Sequence, residues 1–197
     1  NDPNDYGGPG TGYRLSAERR AELVAIRDVL TRDEVLRAES VHEAGERGRI
    51  SYRTLGPARP GANTREVVIG VSPAFGRKLF RTVAGHPLSS LLGEIVAGID
   101  SGGGTARIVR MGHTADTSFL GLSAARLAGS GVGIGLQAKG TAVIHQRDRL
   151  PHNNLELFSN SPITTLEHYR RMGENAAAYA RNELPEPIVV PTRGEAL

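Results

Sequence analysis

Residues Glu66 to Ser72 read EVVIGVS, a β-branched and almost wholly apolar run that Pro73 ends. A strand with one face in water alternates apolar and polar residues, whereas a short run without alternation marks a strand buried on both faces. The next segment supports that reading. Pro87 sits at a first-turn position, and Leu88, Leu91, Leu92, Ile95, Val96 and Ile99 recur at helical spacing until Gly102 to Gly104 stop them. Thr105 to Arg110 (TARIVR) then reads as a second strand. A strand, helix and strand in that order make a parallel pair with a right-handed crossover, so the predicted class is α/β.

Towards the C-terminus, Thr117 to Leu127 reads as a helix, followed by strands over Val132 to Gln137 and Thr141 to Gln146. The three residues between them, Ala138, Lys139 and Gly140, suit a hairpin, which makes the predicted sheet mixed. Thr164 and Glu167 have capping-box spacing, and Leu166, Tyr169, Met172, Ala176 and Tyr179 carry a last helix to about Asn182. An extended tail is expected after Pro185. Towards the N-terminus, Gly45 to Asn63 is a Gly/Pro/Arg-rich linker with one weak edge strand over Arg49 to Leu55. Thr31 and Glu34 form another capping-box pair, which predicts a short second helix through Ala38. Before it, Leu23, Ile26 and Leu30 mark a helical stripe from Ser16, and residues 1–15 are a Gly/Pro-rich arm. The expected organisation is an N-terminal arm with short helices and linker over 1–63, an α/β domain over 64–187, and a tail over 188–197.

Composition narrows the function classes. Of the 197 residues 39% are hydrophobic and 23% charged, an ordinary balance for a globular protein with one core. Charged residues or glycine interrupt every apolar run before the roughly 20 residues of a membrane helix. The N-terminal stretch lacks the apolar segment of a signal peptide, so the cytoplasm is the expected compartment. There is no cysteine, which excludes disulfides, thiolate metal sites and a cysteine nucleophile in this sequence. The net charge is +3 and the basic residues are mostly arginine, with lysine at Lys78 and Lys139 alone. Basic and acidic residues are intermixed, and only Gln146 to Arg149 approaches a basic cluster, so nucleic acid is not an expected partner.

Few motifs carry chemistry. Gly129 to Gly135 (GSGVGIG) tempts a dinucleotide reading, yet Ile134 and Leu136 stand where the third glycine of GxGxxG would be. The run also passes from helix to strand, the reverse of the order a pyrophosphate site requires. Close backbone packing explains it better. The six histidines show no HExxH or HxH spacing, so no metal site is expected, and His145 at a strand end reads as a structural imidazole. Neither GxSxG nor GxxxxGK[ST] occurs. Lys139, between Ala138 and Gly140, is either a solvated turn residue or a flexible cation reaching a phosphate or amide oxygen. Asp116, just before a helix, is first an N-cap and secondly a ligand acceptor.

Taken in order, Val67 to Phe75 (VVIGVSPAF), Gly129 to Gly135 (GSGVGIG), Gln137 to Gln146 (QAKGTAVIHQ) and Asn154 to Phe158 (NLELF) resemble the medium subunit of adenosylcobalamin-dependent diol and glycerol dehydratases. Ile95 to Ile99 (IVAGI), Ala106 to Arg110 (ARIVR) and the helix over Thr165 to Arg181 agree, so the likeness spans about residues 64–187. The resemblance implies a Rossmann-like three-layer α/β/α fold with a mostly parallel, mixed sheet. It implies a hetero-oligomer with large and small subunits that converts 1,2-diols or glycerol to aldehydes by a radical route. Catalytic residues would belong to the large subunit, and none is expected here.

By motif position the resemblance makes Asp116 (in HTADTSF) and Lys139 (in QAKGT) contacts for adenosylcobalamin, with Gly140 beside them. Ser159 stands where many relatives have proline, so its contact would differ from theirs. No DxHxxG occurs, in keeping with a family whose cobalamin keeps its own base on cobalt. The known relatives continue past the equivalent of Pro187, and Ser16 to Ala38 has no clear counterpart in them. That segment is expected either to pack against other subunits or to address the protein to a bacterial microcompartment. The alternative function is the small subunit of a dehydratase-reactivating factor, which pairs with an ATPase subunit and holds no cobalamin.

Overall fold

The computed structural model describes residues 33–41 and 50–190. The expected arm over 1–15, the stripe of Leu23, Ile26 and Leu30, and the tail from residue 191 lie outside the described residues. Seven strands and three helices are described, in the order β1 (Glu34–Val41), β2 (Ile50–Pro57), β3 (Glu66–Val71), α1 (Leu88–Ser101), β4 (Thr105–Arg110), α2 (Thr117–Leu127), β5 (Val132–Leu136), β6 (Ala142–Gln146), β7 (Glu156–Phe158) and α3 (Leu166–Ala180). All the strands join one sheet in the order β2-β1-β4-β3-β5-β6-β7.

The EVVIGVS run is the sheet's middle. β3 pairs in parallel with β4 on one side (Ile69 opposite Ile108) and with β5 on the other (Ile69 opposite Ile134). Its side chains serve two cores, as a strand of period 2 must. Val67, Ile69 and Val71 face α1 and α3 with Leu88, Leu91, Ile95, Ile99, Tyr169 and Met172, while Val68 faces α2 with Leu120, Leu122 and Leu127. Helices therefore cover both faces, and the protein is α/β. The sheet is less parallel than expected. Only the β4-β3-β5 centre is parallel, and the pairs β1/β2, β1/β4, β5/β6 and β6/β7 are antiparallel.

β1 corrects the expected helix through Ala38. Glu34 to Val41 pairs with β4 (Leu36 opposite Ile108) and with β2, which is the edge strand anticipated near Arg49 to Leu55. The Thr31/Glu34 pattern is a local signal. It loses here because the open edge of β4 supplies ladder hydrogen bonds, and alternation sends Val35 to one core and Leu36 to the other. The sheet thus starts at Glu34, well before the domain start expected near Thr64. A smaller shift occurs at α3, whose capping box joins Thr165 and His168 instead of Thr164 and Glu167. β7, inside the NLELF segment, is a three-residue edge strand that its length hid from pattern reading.

The glycine run of β5 packs against α2. A Cβ on Gly133 would strike the backbone of Ala124 and Ala125, and one on Gly135 would strike Thr117 and Gly121. The close approach expected at this run is made by a helix of the same chain. Two arginines, Arg110 buried and Arg107 partly so, hold the connections between elements. Arg107 forms a two-pronged ion pair with Glu66 (2.8 and 2.9 Å) and donates to the Leu127 carbonyl at the end of α2. Arg110 donates to the carbonyls of Ser72, Pro73 and Phe75 just past β3 and lies 5.2 Å over the Tyr52 ring.

Candidate functional site

The parallel strands β3, β4 and β5 end together at Val71, Arg110 and Leu136. Ligands of open α/β sheets bind outside the carboxyl ends of such strands. Lys139, Asp116 and Ser159 all lie along this edge, each exposed, and Gly140 lies there buried.

The hairpin between β5 and β6 is a rigid pedestal. Gln137 N–H donates to Thr141 O (2.9 Å) and Gly140 N–H to Gln137 O (3.0 Å), which closes the turn. Ala138 N–H donates to Ser72 Oγ (3.1 Å), Val83 N–H to Lys139 O (3.3 Å), and the Tyr169 hydroxyl to Gly140 O (2.7 Å). Gly140 has φ +104, a conformation that glycine enters without the Cβ penalty, at the place a three-residue hairpin loop calls for it. A Cβ there would sit 2.7 Å from Tyr169 Oη and 3.0 Å from Thr82 Cγ2. Gly140 therefore spends both backbone groups inside the protein. What the turn presents outward is the Lys139 ammonium.

Asp116 caps α2, as its position suggests. Its Oδ1 accepts from Ser118 N–H (2.9 Å) and Phe119 N–H (3.1 Å). Capping by Oδ1 leaves the second carboxylate oxygen available to another donor. Gln137 connects this residue to the hairpin, because its Nε2 donates to Ala115 O at 3.2 Å. Ser159 follows β7, and the next residue, Asn160, donates its N–H to Thr141 Oγ1 (3.3 Å) at the base of the same hairpin.

Several residues at this edge escaped sequence reasoning. Val83, 52% exposed, is tied through its N–H to Lys139, and Ile163, 36% exposed, adjoins Thr164, whose carbonyl meets the His86 ring at 2.9 Å. Their only signal is apolar character in loops, which is common on surfaces. Gln137 was legible only as a strand end and the first residue of the QAKGT motif, and His113 only as a histidine without metal spacing. His145 is fully buried, with Nδ1 against Gln146 O (2.8 Å) and Nε2 against Leu150 O and Pro151 O (3.0 and 3.1 Å), a structural imidazole as expected. Burial pushes its pKa below the ordinary histidine value, against the pull of those three carbonyls.

Among the described residues, no group of His, Asp and Glu is placed to hold a metal ion, and no helix is long and apolar enough to cross a membrane. A cavity of about 490 Å³ lies elsewhere, between β1 and α1, walled by Leu36, Leu92, Val96 and Ile108, and none of the predicted site residues lines it.

Thirty residues of the chain are 67% identical to part of the glycerol dehydratase large subunit of Citrobacter freundii, a match over 15% of this chain and 5% of that protein. A solved glycerol dehydratase reactivase superposes with a TM-score of 0.49 and 21% identity, over 64% of this chain and 95% of that one. The family model described as dehydratase medium subunit matches residues 72–186, which include β4 to α3 and all four candidate residues, so the chain belongs to the dehydratase medium subunit family.

Proposed function

We propose that this chain is the non-catalytic medium subunit of an adenosylcobalamin-dependent diol or glycerol dehydratase, and that the edge carrying Lys139 and Asp116 covers the cofactor held by a large catalytic subunit. Membership of the medium subunit family supports a place in a dehydratase complex. The observation that carries the cofactor reading is the convergence of Lys139, Asp116 and Ser159, far apart in sequence, on one sheet edge.

The donor set fits a ligand ringed by amides and bearing a phosphate. Lys139 offers up to three donors as a mobile point charge, Asp116 a carboxylate oxygen, and Ser159 a hydroxyl that both donates and accepts. Gly140 serves as support, since its N–H and carbonyl are already used in the turn. Bound adenosylcobalamin would supply the radical chemistry, with substrate held in the large subunit. This chain's part is to orient and enclose. Lys139 would donate to phosphate or amide oxygens, Asp116 would accept from amide N–H groups, and Val83 and Ile163 would exclude water around them.

The test is co-expression with large and small dehydratase subunits, purification of the complex, and its absorbance spectrum after incubation with cobalamin. A stable complex that retains a corrinoid spectrum is expected. A chain that instead copurifies with an ATPase subunit and retains no corrinoid would replace this reading with the reactivating factor.

A further inference from the structure

Between β4 and the Asp116 cap lie five residues that the structure ties down one by one. Met111 N–H donates to Val71 O (3.0 Å). Gly112 N–H donates to Asp33 Oδ1 (2.8 Å). The His113 ring spans Asp33 and Ser123, with Nδ1 3.4 Å from Asp33 Oδ1 and Nε2 3.2 Å from Ser123 Oγ. Thr114 Oγ1 accepts from Asp116 N–H (3.0 Å), and Ala115 O accepts from Gln137, two residues before Lys139. Asp33 is 1% exposed and Ser123 not at all, so this is an interior clamp. A buried serine on a helix cannot meet a substrate, which removes the nucleophilic reading of an Asp, His and Ser chain.

A buried carboxylate costs free energy unless its hydrogen bonds are made. Asp33 makes them to the loop before α2, although one of its oxygens, Oδ2, has no partner among the described residues. Asp33 also accepts Ala58 N–H at its carbonyl, so the start of β1, the end of β2 and this loop meet at one residue. Each ring nitrogen has one partner, Nδ1 the Asp33 carboxyl and Nε2 the Ser123 hydroxyl. The ring is held at both ends, and it joins the loop to α2 one residue-pair at a time: Asp33 to His113, His113 to Ser123.

We propose that His113 is a positioning residue: held between Asp33 and Ser123, it fixes the Gly112–Asp116 loop and so sets where Asp116 stands relative to Lys139. The proposal rests on the reading of Asp116 and Lys139 as cofactor contacts. It also has a readout that needs no cofactor. In the assembled complex without cobalamin, His113→Ala should raise amide hydrogen exchange across Gly112 to Phe119 at least about tenfold, with β3 and β5 unchanged, because local opening is set by local contacts. With cyanocobalamin as the probe, the same variant should bind about 5- to 30-fold more weakly. Ser123→Ala, nearly isosteric and kind to a helix, is the second variant in case the first does not fold; it should show both effects at about a third of the size.

Unchanged exchange in either folded variant would overturn the clamp. Faster exchange with unaltered cyanocobalamin affinity, in a complex that Lys139→Ala weakens, would overturn the positioning role. If Lys139→Ala and Asp116→Asn both leave the affinity unaltered, the cofactor reading itself fails, and exchange alone still judges whether His113 orders the loop.

Discussion

The Tyr169 hydroxyl donates to the Gly140 carbonyl at 2.7 Å, so that α3, late in the chain, supports the turn that carries Lys139 from beneath. Burial raises the pKa of that hydroxyl far above its ordinary value, and it stays a donor throughout the working pH range. Tyr169→Phe should leave Gly140 O unpaired in the interior and cost about 1–2 kcal/mol of stability. Gly140→Ala should cost more, since it adds strain at positive φ of about 1–3 kcal/mol to a Cβ 2.7 Å from that hydroxyl. Chemical denaturation of the two variants checks the order.

The β5 glycines give a sharper prediction. A Cβ on Gly133 has backbone of Ala124 and Ala125 in its way, and backbone cannot yield as a side-chain tip can. Gly133→Ala should force α2 off the sheet and cost more than about 3 kcal/mol, as overpacking does at its upper end. Gly93→Ala, with nothing within 4 Å of the added atom, should be neutral or slightly stabilising in helix α1. Melting temperatures of the pair measure the contrast.

Glu156 closes the C-terminal end. Buried in β7, it accepts from Asn175 Nδ2 (2.9 Å) and Ile188 N–H (3.1 Å), while Asn175 also donates to Glu186 O (2.9 Å). Glu156→Ala should strand those donors, cost about 1–3 kcal/mol and make the segment around Ile188 a faster target for limited proteolysis. Proteolysis mapped by mass spectrometry checks it.

His145 makes stability depend on pH. Its folded pKa is lowered by burial, so the unfolded chain takes up a proton first as pH falls. The stability it contributes is full above about pH 6.5, the ordinary histidine value, and is lost as pH falls from there through the depressed folded value. Thermal unfolding between pH 7.5 and 5 should show this fall, and His145→Gln, which does not titrate, should show a shallower one.

How much of this was legible in sequence follows from where each signal resides. EVVIGVS declared a doubly buried strand because burial on both faces removes alternation, and together with the helix and strand that follow it gave the parallel β3/β4 pair. Asp116 and the Ala138 to Gly140 turn were legible because caps and tight turns demand particular residue types locally. β1 was not, since its conformation is decided by the open edge of β4, remote in sequence, against a local helix-start pattern. Gly140's true neighbours, Tyr169 and Thr82, lie on distant segments, so its role as support under Lys139 could not be read from the QAKGT motif. The clamp of Asp33, His113 and Ser123 was equally hidden, because nothing in histidine spacing reveals a partner eighty residues away.

The most direct measurement is the cobalamin affinity of the assembled complex with Lys139→Ala in this chain. Lys139 is exposed on a turn whose backbone bonds do not involve its ammonium, so the variant should assemble and melt like the parent. Loss of a charged hydrogen bond worth about 1.5–3 kcal/mol should weaken binding by roughly 10- to 150-fold. An assembled variant that binds cobalamin as tightly as the parent would contradict the assignment of this sheet edge to the cofactor.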